Sequence, residues 1–116
     1  MILYVTGYII FCIVLAYFNG RFIAKGRVIH HVVNGVLHLL FFVGGFFVMG
    51  WQVAALPFIG RVVFDTSLNL FRGLPISYVT IQPASIIDQI EQAVFKRNWW
   101  LPKLIYVAIA IIILLV

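Results

Sequence analysis

The chain has 116 residues, 65% of them hydrophobic and 9% charged, with a formal net charge of +5. A soluble domain is typically about half apolar and about a quarter charged. A domain this small keeps much of its surface in contact with solvent, so the composition excludes water as the solvent for most of it. It also excludes nucleic acid as the reason for the positive charge, because the basic residues flank membrane-length apolar runs and form no continuous stripe.

The charged residues fall in two windows. Arg21, Lys25 and Arg27 form the first; Arg61, Asp65, Arg72, Asp88, Glu91, Lys96, Arg97 and Lys103 form the second. The single cysteine, Cys12, lies inside an apolar run, where it reads as a small apolar residue.

The first predicted element is residues 2–18, apolar apart from Thr6, Gly7 and three tyrosines. It is about long enough to cross a bilayer, whose core needs ~20 residues and tolerates ~17. No Lys or Arg precedes it and no small-x-small pattern follows it, so it reads as a retained segment and not a cleaved signal. Asn19-Gly20 predicts the end of the helix. A basic loop, 21–27, follows.

Residues 28–64 are too long an apolar stretch for one crossing. The stretch is expected to fold back, either at Gly44-Gly45 or at 49–52. Trp51 and Gln52 favour the second place, since an indole N–H and an amide prefer an interface. The result is a hairpin with one helix over 29–48 and a return helix over 51–72. Pro57 either kinks the return helix or marks its regular start. Gly73 and Pro75 suit its end.

Residues 74–84 read as extended or looped. Ser85 and Asp88 approximate a capping box for another helix. On that helix Ile86, Ile87, Ile90 and Val94 share one face, and Asp88, Gln89, Glu91, Gln92 and Lys96 share the other. Such a helix is able to lie in the interface plane. The last segment, 99–116, begins with Trp99-Trp100 and Pro102. Lys103 near its start is placed to snorkel outward.

The expected fold is therefore an all-α integral membrane protein, a single polytopic domain. It has four membrane segments, about 2–18, 29–48, 51–72 and 99–116, and an interfacial region, 73–98, with a short amphipathic helix. Four segments place both charged windows on one side. The positive-inside rule makes that side cytoplasmic and turns both termini outward. Three segments would split the basic residues between the two sides.

The first candidate site is a polar ridge, Arg61, Asp65, Asn69 and Arg72, whose spacings of four, four and three put them on one helix face. Arginines there suit phosphate, with Asp65 orienting Arg61. Lys96, Arg97, Lys103, Trp99 and Trp100 are expected to contact lipid, in particular anionic headgroups. A metal site of His30, His31 and Asp65 is permitted if the hairpin brings 30 and 65 to one end. His38 is expected to be hydrogen-bonded inside the bundle.

No Ser/His/Asp order, phosphate-binding glycine loop or CxxC occurs. In size and charged face the chain resembles small phage or bacterial membrane proteins, holins among them, in composition alone. The expected function is a non-enzymatic membrane assembly, partner-docking or holin-like component, with no cofactor. Its partners are the bilayer and a second copy or another membrane protein. The alternatives are a metal-dependent membrane enzyme using His30, His31 and Asp65, and an oligomeric channel or transporter subunit.

Overall fold

A computed structural model of the chain describes residues 1–26, 31–78, 86–96 and 98–116. Among these residues every regular element is helical: α1 (Ile2–Ala24), α2 (His31–Met49), a 3₁₀ segment (Gly50–Ala55), α3 (Leu56–Phe71), α4 (Ile86–Phe95) and α5 (Leu101–Leu115). Two helical runs, Ile2–Ala24 and Val32–Phe71, are long and apolar enough to cross a membrane; Leu101–Leu115 is a shorter apolar helix.

The Asn19-Gly20 pair does not end α1. The helix continues to Ala24 and stops at Lys25 and Gly26, the latter at φ 72°. Turn propensity loses here because both residues are used in packing. Asn19 is 3% exposed and donates its side-chain amide to the Leu15 carbonyl, one turn back, at 2.7 Å. Gly20 faces α3, where an added Cβ would sit 3.3 Å from Cβ of Phe71. Arg21 consequently belongs to the helix and not to a loop.

The long apolar run folds back at the second of the two expected places. Gly50 adopts φ +64°, a left-handed conformation that glycine takes without steric cost. Gly44 and Gly45 stay helical and serve close approach instead: Cβ atoms there would meet Tyr4, and at Gly45 also Val53 and Leu56. Pro57 stands in the first turn of α3, where its missing N–H has no helical partner to lose. After α3, Gly73 at φ 70° donates to the Leu70 carbonyl and Leu74 donates to the Asn69 carbonyl, the double bond of a Schellman end. Tyr78 N–H closes a turn on the Pro75 carbonyl. No strand occurs among the described residues; 79–84 and the Ser85 cap lie outside them.

The contacts set the helix directions. Tyr8 meets Gly60 and Gly20 meets Phe71, so α1 and α3 run parallel. Tyr4 meets Gly44, and Tyr8 meets His38, so α2 runs against α1. Gln52 donates to the Leu114 carbonyl at 3.0 Å and the Phe58 and Tyr106 rings lie 5.9 Å apart, so α5 runs against α3. Met1, residues 49–52 and residues 114–116 therefore share one end, which has no charged side chain. The basic end of α1, the loop after α3, the end of α4 and the start of α5 share the other.

The core is small and holds polar groups. Tyr8, Cys12, Leu56 and Met49 are its buried centre, packed by Tyr4, Phe11, Phe41 and Phe42. Tyr8 bonds His38 Nδ1 at 2.9 Å, and Phe11, Phe42 and Phe64 surround that imidazole; His38 is thus held inside the bundle as expected. Asn19 and Asn34 pair their amides across α1 and α2, with Asn34 donating at 3.1 Å. Large apolar side chains line the outside: Leu3 is 88% exposed and Phe47 82%. This reverses the distribution that water imposes on a small protein.

Candidate functional site at the charged end

The α3 ridge is built as its spacing predicts, and α4 completes it. Arg61 Nη1 lies 3.2 Å from Asp65 Oδ1, one turn on. The same guanidinium donates from Nε to Glu91 Oε1 at 3.2 Å and from Nη2 to Glu91 Oε2 at 2.6 Å. Two parallel N–H donations to one carboxylate form the strong, directional fork. The Arg61 and Glu91 side chains are only 18% and 16% exposed.

Glu91 is the residue the sequence reading missed as a site member. The spacing places it on the polar face of an amphipathic helix that is able to lie in the interface plane. Glu91 and Gln92 instead turn inward toward α3, while Ile90 and Val94 are 58% and 65% exposed. The missed signal is that an acid in so apolar a chain needs a partner, and Arg61 is the basic residue set deepest in an apolar helix.

The rest of the ridge has other tasks. Asn69 is 8% exposed and donates its amide to the Tyr78 carbonyl at 3.2 Å, holding the loop after α3. Arg72 caps the end of α3 with its guanidinium 5.8 Å from the Tyr78 ring centroid, within cation–π range. Arg61, Asp65, Asn69 and Arg72 therefore line one cleft but only Arg61 and Asp65 bond each other.

Of the expected lipid-contact residues, Lys96, Trp99 and Lys103 line the same cleft. Lys96, at φ 57°, ends α4 at its rim. Lys103 lines it from α5 and donates to the Trp99 carbonyl at 3.3 Å. Trp99 and Trp100 are 40% and 49% exposed. Asn98 fixes their turn, its Oδ1 accepting from the backbone N–H of Trp100 and of Leu101. Arg97 lies outside the described residues.

The cleft, between α3, α4 and α5, encloses about 90 Å³. Among the described residues, four cations (Arg61, Arg72, Lys96, Lys103) and two carboxylates (Asp65, Glu91) line it, an excess of two positive charges. A second, apolar cavity of about 310 Å³ opens between α1, α2 and α3, beside Gly35, His38 and Phe64.

His30 and the side chain of His31 lie outside the described residues, and Asp65 is engaged by Arg61. Among the described residues no three His, Cys, Asp or Glu side chains gather as metal ligands. No protein-family model, curated protein or solved structure matches this chain.

Proposed function

We propose that this chain is a four-segment membrane protein whose charged end is a single cytoplasmic working face, and that it acts there as a non-enzymatic assembly or docking component. The segments are α1, α2, the 3₁₀ segment with α3, and α5. The inverted distribution of side chains carries the reading. Glu91 and Gln92 of α4 turn in toward α3, with Glu91 on Arg61, and Ile90 and Val94 turn out. Water would drive the opposite arrangement, whereas hydrocarbon favours this one. The longest dimension, 38 Å, suits a hydrocarbon core of about 30 Å with its margins. Docking, and not catalysis, fits a face whose two described carboxylates, Asp65 and Glu91, are both engaged by Arg61.

The test is cysteine accessibility in sealed, oriented vesicles, with Cys12 replaced by alanine. Cysteines at Lys25 and Arg72 are expected to label from one side and one at Gln52 from the other. Labelling of positions 25 and 72 from opposite sides would refute the single face.

A further inference from the structure

We infer that the cleft between α3, α4 and α5 is a binding site for a phosphate-bearing anion, held by Arg72, Lys96 and Lys103. The inference rests on the reading of the charged end as the working face, and it names what that face takes. Arg61 is the deepest cation of the cleft and is not the ligand-binding one. Its fork closes on Glu91 and its remaining edge meets Asp65, so the two carboxylates and Arg61 form an internally satisfied floor. Among the described residues, the other three cations of the cleft are in excess. Among the described side chains, no carboxylate lies within salt-bridge distance of Arg72, Lys96 or Lys103.

Three separate elements deliver these cations: the end of α3, the end of α4 and the first turn of α5. Arg72 is steadied over Tyr78, and Lys103 is steadied by the Trp99 carbonyl. Like charges converging on one small cleft repel each other, and an anion between them removes the repulsion. Arginine offers a planar fork and lysine a point charge; both suit phosphate oxygens. A volume of about 90 Å³ accepts such a group and is larger than a single water needs. Trp99 and Trp100 sit at the same level, and indoles prefer headgroup depth. The phosphate thus comes either from a lipid headgroup or from solution, with the same chemistry at the site.

Native mass spectrometry of the full chain in uncharged detergent tests this, with phosphatidic acid in one arm and inorganic phosphate in the other. Saturable uptake of one ligand per chain is expected. Arg72→Gln with Lys96→Gln and Lys103→Gln is expected to weaken it by about tenfold or more, the effect of losing even one charge-assisted contact. The charge-keeping set Arg72→Lys, Lys96→Arg and Lys103→Arg is expected to retain most binding, which separates charge from folding. Binding in both arms supports the site with free phosphate as sufficient. Binding of phosphatidic acid alone supports it with a headgroup as source. Uptake that never saturates, or that survives the three glutamines, overturns it. Vesicle labelling of positions 25 and 72 on one side, with no ligand bound, would sink this inference and leave the proposed topology standing.

Discussion

Replacing Glu91 by alanine separates a structural ion pair from a decorative one. The Arg61 and Glu91 side chains are 18% and 16% exposed, and two hydrogen bonds, at 3.2 and 2.6 Å, join them. Breaking a buried pair by removing one partner costs about 3–5 kcal/mol, mostly because a charge is left uncompensated. Asp65 still neutralises part of Arg61, so Glu91→Ala belongs near the lower end, roughly 3 kcal/mol. Arg61→Ala strands two carboxylates beside each other and belongs near the upper end, roughly 5 kcal/mol. Arg61→Met with Glu91→Met removes both charges and is expected to cost less than either alanine variant alone. SDS titration in mixed micelles, followed by tryptophan fluorescence, gives the free energies. Hydrogen exchange over 86–96 adds a local readout, because α4 is expected to loosen before the bundle opens. An effect of Glu91→Ala below about 0.5 kcal/mol, as for a surface pair, would refute the inward placement of α4. So would additive costs for the double variant.

Gly60→Ala is expected to destabilise by about 1–3 kcal/mol through overpacking, because its Cβ would fall on the Tyr8 hydroxyl, with ring carbons at 3.0 and 3.2 Å. Adding Tyr8→Phe recovers part of the loss, and Gly35→Ala, which meets nothing within 4 Å, serves as the harmless control in the same SDS titration. Asn19→Leu and Asn34→Leu test the amide pair between α1 and α2. A double-mutant cycle is expected to give a coupling of about 0.6–1.7 kcal/mol, the range for polar contacts between helices in a bilayer, and zero coupling would remove the clamp.

Much of the architecture is local and legible in the sequence. Gly50 supplies the left-handed turn, Pro57 starts α3, and Gly73 with Pro75 ends it. Each acts through its own backbone, so neighbours in space change little. The i, i+4 contact of Arg61 with Asp65 is equally local. Asn19-Gly20 does not end α1 because its turn propensity is outweighed by a contact with α3, some fifty residues away in the chain.

The larger difference concerns α4. Periodicity separates Glu91 and Gln92 from Ile90 and Val94, but Gln89, expected with the first pair, is exposed with the second. It could not say which face points inward, because that sign depends on the surrounding solvent and on what the neighbouring helix presents. The amino-acid order determined that the charges fall in two windows between apolar helical runs, and the helix contacts brought both windows to one end. Tertiary structure alone decided that Glu91 turns in to Arg61, that Asn69 braces a loop, and that Arg72, Lys96 and Lys103 meet at one cleft. An ion pair between residues thirty apart leaves no mark in local spacing, since its geometry exists only once α3 and α4 pack.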